Sequence, residues 1–192
     1  MENQFFTFIR PFLAYIDNGH FYRKPFSWLY ALMAVLNLIA PFYVLYTAID
    51  NDVFRGGAKI IFLFFLIWIM VAFVGWISFQ LWWDRKDRVL YTTSDNDEFV
   101  ATPVFSHLIQ TTGEWLGIWI AVLGTWAALL ITLFLGDEGG YLARQIGLDF
   151  IDAGFMAIII MPIYGFMTIV FTRFLAELFR ALASIANNTR RI

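Results

Sequence analysis

The chain has 192 residues and a formal net charge of −2, with 60% hydrophobic, 20% aromatic and only 15% charged residues. A water-soluble domain does not tolerate that composition, so the natural solvent is lipid. The slightly acidic balance excludes a nucleic-acid partner, which needs a basic face. The absence of cysteine excludes disulfides, thiolate metal sites and cysteine redox chemistry.

Met1 to Gln4 is acidic and polar where a cleavable signal peptide would be basic, and aromatic residues follow. Over residues 4–17, Phe5, Phe8, Ile9, Phe12, Leu13 and Ile16 recur at helical spacing between polar positions. This predicts an interfacial helix, with a break possible at Arg10 because Pro11 follows it. The alternative is a buried cap under the bundle.

Four runs, 27–49, 60–83, 115–135 and 153–172, contain no Asp, Glu, Lys or Arg. About 20 helical residues cross the ~30 Å hydrocarbon core, so each run is a predicted transmembrane helix. The period-2 alternation of a membrane barrel is absent, and in lipid a helix satisfies its own backbone. In the first run Asn37 is the one strongly polar group, and Pro41 cannot donate to the carbonyl of residue 37. A kink is expected there, with Asn37 bonding the freed backbone or a neighbouring helix, or holding a substrate as the sharper alternative. The second run is almost wholly large and aromatic (Phe62, Phe64, Phe65, Trp68, Phe73, Trp76, Phe79), a surface for lipid or a partner subunit.

Thr102-Pro103 reads as a helix start. The helix then runs some turns before the third span, with His107, Gln110 and Glu114 on one face. Within the span, Gly113, Gly117, Ala121, Gly124 and Ala128 form a small-residue stripe that marks a helix–helix contact. In the fourth span Pro162 frees the carbonyl of Ile158, with Gly165 close by, which reads as a kink. The helix continues through Arg173, Glu177, Arg180 and Ser184 on one face and Phe174, Leu175, Leu178, Phe179, Leu182 and Ile185 on the other.

An antiparallel register that sets Glu114 beside Arg173 also sets Gln110 beside Glu177 and His107 beside Arg180. This candidate polar network of His107, Gln110, Glu114, Arg173, Glu177 and Arg180 reads first as a structural clamp. As a mouth for protons or ions it would have His107 titrating near neutrality, although Arg180 beside it would disfavour the charged imidazole.

Orientation follows from the basic residues. Arg10, Arg23, Lys24, Arg85, Lys86, Arg88, Arg173, Arg180, Arg190 and Arg191 fall on one side; Arg55, Lys59 and Arg144 fall on the other, beside Asp50, Asp52, Asp137, Glu138, Asp149 and Asp152. The first side, with both termini and the 84–102 loop, whose stretch from Tyr91 to Thr102 with Asp95, Asp97 and Glu98 reads as an acidic connector, is therefore expected in the cytoplasm. Trp28, Trp82, Trp83 and Trp115 would form its interfacial belt.

No phosphate-binding glycine loop, HExxH or nucleophile triad is present, and His20 and His107 lie outside the spans, which excludes a bis-histidine haem. No catalytic, cofactor-binding or metal residue is assigned. An outer cation site at Asp137, Glu138, Asp149 and Asp152 lacks loop-site spacing.

The stretch from Arg173-Phe-Leu-Ala-Glu177 to Ile192 resembles the tail of a family of short multi-span bacterial membrane proteins ending in R-x-x-x-E. The resemblance is confined to this helix, implies a bacterial inner membrane and carries no site residues over.

The expected fold is all-α: one transmembrane domain, 1–192, of four spans in two antiparallel hairpins, with an interfacial helix and cytoplasmic helix extensions. The partners are the bilayer and a membrane protein or a second copy. The leading function is a non-catalytic subunit that packs into or helps assemble a larger inner-membrane complex. Alternatives are a channel or small-solute transporter and an enzyme acting on lipid headgroups.

Overall fold

The computed structural model describes residues 8–17, 20–92, 101–136 and 155–189, and all the regular structure in them is helical. A short helix α1, Arg10–Asp17, precedes four helices long and apolar enough to cross a membrane: α2, His20–Asp50; α3, Ala58–Arg88; α4, Ala101–Phe134; and α5, Phe155–Thr189. The protein is a polytopic, four-helix membrane protein.

Each long helix outruns the apolar run that predicted it. At ~1.5 Å per residue, the 31 residues of α3 extend well past a ~30 Å core. A helix satisfies its backbone internally, so it need not stop at the hydrocarbon edge. Arg85, Lys86 and Arg88 occupy the last turn of α3, where the carbonyl end of the helix favours cations. That end of the bundle, where α3 finishes and α4 begins, is its basic end.

At the N-terminus Pro11 sits in the first turn of α1, where its missing N–H breaks no bond, so the helix starts at Arg10. Phe8, Ile9, Phe12 and Leu13 are exposed, as on a helix lying in an interface. Residues 4–7 of the predicted segment lie outside the described residues, as do Asp137, Glu138, Asp149, Asp152 and residues 93–100 of the connector. Lys24 lies over the Tyr15 ring at 5.8 Å, tying α1 to α2.

Contacts concentrate within two antiparallel hairpins, α2 with α3 and α4 with α5, while α4 also touches α2 and α3 along a narrower seam. In the first hairpin Pro41 leaves the Asn37 carbonyl without its intrahelical donor, and Gly75 of α3 packs against that carbonyl. A Cβ there would come within 2.7 Å of the oxygen. Trp68 Nε1 donates to the Pro41 carbonyl at 2.8 Å. The second hairpin is set by the small-residue stripe: Gly113 meets Thr172, Gly117 meets Gly165 and Ile169, and Gly124 meets Met161. The partner of the stripe is therefore α5 of the same chain.

Between them, residues Trp119–Gly124 widen into a π-helical stretch, and the Thr125 hydroxyl donates back to the Ala121 carbonyl. The wider turn lies opposite Gly165, where Ala121 would collide with any side chain. The core at the basic end joins α2, α3 and α4 through Tyr30, Ala34, Trp82, Val89 and Val104. Trp82 (1% exposed) and Trp115 belong to or pack on this core, whereas Trp28 (72%) and Trp83 face outward. Only the latter two suit the predicted aromatic belt.

Substituting Gly117→Leu should force α4 from α5 and lower stability by about 1–3 kcal/mol or more. Gly57→Ala, with open space around its Cβ, should be neutral. Thermal unfolding of both variants in detergent micelles checks the contrast.

Candidate functional site

Polar side chains gather along α4 at the basic end. Glu114 accepts from Arg85 Nη2 of α3 through Oε2 and from Gln110 Nε2 through Oε1, each at 2.8 Å. Gln110 Oε1 in turn accepts from Arg180 Nη2 of α5 at 3.0 Å. The chain Arg85–Glu114–Gln110–Arg180 thus fastens three helices. The ion pair within it is mostly shielded, at 18% and 12% side-chain exposure, so its geometry counts for more than that of a surface pair.

A second set links α2 to α4. Tyr30 Oη lies 2.8 Å from His107 Nδ1 and donates to Thr111 Oγ1 at 3.5 Å, while the Thr111 hydroxyl donates to the His107 carbonyl at 2.9 Å. Two further rungs lie deeper: Trp115 Nε1 donates to Asn37 Oδ1, and Trp119 Nε1 to Ser78 Oγ, both at 2.9 Å. Asn37 Nδ2 donates to the Met33 carbonyl. The Asn37 amide is therefore used in bonding a neighbouring helix, one of the two structural roles expected of it.

The predicted network is brought together in part. Gln110, Glu114 and Arg180 join, but Arg173 and Glu177 are exposed and form no ion pair among the described residues. The axial register of α4 on α5 is close to that expected, as Gly113 against Thr172 attests. What differs is rotation. The glycine face of α4 turns to α5, which points the adjacent Glu114 towards α3 and Arg85 instead of Arg173. Gln110 takes the Arg180 contact predicted for His107, and His107 turns to Tyr30. In the sequence Arg85 carries no mark beyond its charge. Tyr30, Ser78, Thr111 and Trp119 had no signal of their own, because each matters only through a residue on another helix.

His107 lies eight residues before the third span, and its pKa is pushed down from 6.5 to about 4. Burial is the largest cause, followed by the charges of Arg85, Arg180 and Arg88. A shift in that direction favours the neutral imidazole at physiological pH.

Beside the rungs, an open, apolar groove of about 350 Å³ runs between α2 and α4, lined by Met33, Leu36, Ala40 and Leu116 with Asn37, Trp115 and Trp119. Among the described residues no three His, Cys, Asp or Glu side chains are grouped to hold a metal. The arrangement binds helices to one another. No family model, curated protein or solved structure matches the chain, so the likeness of its last helix to a bacterial family assigns it to none.

Glu114→Gln strands the Arg85 guanidinium and should cost about 3 kcal/mol, the lower end for a shielded pair. Arg85→Met with Glu114→Leu should cost less than the sum of the single changes, read as a double-mutant cycle of thermal unfolding. A depressed histidine pKa gives stability that is full above pH ~6.5 and declines as pH falls towards 4. His107→Gln should flatten that decline in unfolding measured across this range.

Proposed function

We propose that this protein is a non-catalytic integral membrane subunit that packs into, or helps assemble, a larger complex through the protruding part of α5. The observation that carries this reading is the reach of that helix. From Arg173 to Thr189 it continues roughly 25 Å past the hydrocarbon edge, whereas the headgroup layer adds only about 5–8 Å on each side. On this stem Phe174, Leu178, Leu182 and Ile185 recur on one face and remain 58%, 45%, 55% and 63% exposed. Lipid covers such a face within the core but not Leu182 and Ile185 at roughly 15–20 Å beyond it. A protein surface is what suits them.

The polar seam supports the same reading, since its carboxylate and amides are spent on internal bonds instead of being left open to a solute. By the distribution of Lys and Arg, the stem lies in the cytoplasm, and an inner membrane is the proposed site.

Chemical cross-linking in native membranes, followed by mild extraction and mass spectrometry, should recover the chain in an assembly. Leu178→Glu with Leu182→Glu should release it as a monomer, while Phe62→Leu on α3 leaves the assembly intact. A wild-type chain that runs only as a monomer overturns the proposal.

A further inference from the structure

A second recess opens at the basic end, between the start of α4 and the last turns of α5, with a volume of about 290 Å³. Its polar lining is Thr92, Arg180, Ser184, Asn187 and Asn188, and no carboxylate contributes to it among the described residues. Arg180 is held in place by donating from Nη2 to Gln110 Oε1 and from Nε to the Ala176 carbonyl at 3.3 Å. Both partners are neutral, and among the described residues no carboxylate pairs with the guanidinium. Glu177, one turn away, forms no ion pair with it.

A fixed arginine amid hydroxyl and amide groups is the donor set that recognises tetrahedral oxyanions, because the planar fork matches two oxygens at once. The recess is large beside the ~30 Å³ share of one water, enough for a phosphoryl group with part of its ester. Arg180 also lies eight residues beyond Thr172, roughly 12 Å past the hydrocarbon edge and so about 4–7 Å outside the headgroup layer, within reach of a projecting headgroup. The geometry points to a binding site for a phosphate monoester, either on a projecting lipid headgroup or on a small soluble molecule. This is independent of the assembly proposed above.

The test uses the full chain in phosphatidylcholine nanodiscs, with two probes. Inorganic phosphate is titrated by thermal shift; phosphatidylinositol 4-phosphate is added to the discs and counted by native mass spectrometry. Wild type should bind at least one probe at saturable stoichiometry. Asn188→Asp sets a carboxylate in the recess while sparing the Arg180–Gln110 bond, and should weaken binding at least tenfold. Arg180→Lys keeps the charge but loses the fork, and should weaken it too. Binding of the lipid alone assigns the site to a headgroup, and of phosphate alone to a soluble ester; binding of both assigns it to the phosphate group itself. Binding of neither, or binding unchanged in Asn188→Asp, overturns the inference.

Discussion

In lipid there is little hydrophobic gain in pressing two helices together, because the tails are as apolar as the side chains. Association then depends on how closely backbones approach and on which polar groups can find each other. In this bundle the approach of α4 to α5 at Gly117, Ala121 and Gly165 decides both. The Gly165 position would place a Cβ 2.6 Å from Ala121 Cβ, so the two backbones are nearly in contact. Once that face of α4 is committed, the helix has one rotation. Glu114 then faces Arg85, Trp119 faces Ser78, and His107 and Thr111 face Tyr30.

The polar seam is thus a consequence of the glycine contact and also its complement. The glycines fix how near α5 lies, while the seam ties α4 to α2 and α3, with which it shares a narrower contact. The π-helical turn sits between these two functions. It begins at Trp119, whose indole reaches Ser78, and ends at Gly124 against Met161 of α5. A regular helix keeps fixed angles between residues 117 and 124, whereas one widened turn shifts that phase, so α4 can satisfy α3 on one side and α5 on the other. The same economy appears in α2, where the carbonyl released by Pro41 becomes the surface on which Gly75 rests.

Much of this was legible without coordinates. Four uncharged runs and the stripe from Gly113 to Ala128 are local patterns, and lipid makes them nearly decisive. Asn37 and Pro41 announced a disturbed helix for the same reason. Rotation was not legible: the spacing of Glu114, Arg173 and Arg180 fits an antiparallel pair equally well whether or not the carboxylate faces α5. Gly113 settles it, but only if its stripe is weighed before the charges. Charges at the membrane edge can reach several neighbours, while a missing Cβ has one use. The tryptophans misled in a similar way. Trp82 and Trp115 stand at interfacial depth, where either a belt or a core position is open to them, and depth alone does not separate the two. The π turn had no sequence mark, since it arises from the demands of two partners at once.

The division of labour along α5 follows from these constraints. One face, through Met161, Gly165, Thr172, Ala176 and Ala183, is occupied by α4 or buried beside it. The face at Phe174, Leu178, Leu182 and Ile185 stays largely uncovered by the described residues. Inside the membrane such a face is unremarkable, for lipid serves it. Past the headgroups, by the reckoning above, Leu182 and Ile185 would stand in water, where a fully exposed Leu or Ile forgoes about 1.5–3 kcal/mol of burial. A helix used only to anchor the chain would end with the apolar run or turn polar all round. This one keeps an apolar face for several turns after charge appears on the other, and the assembly proposed above would recover that burial.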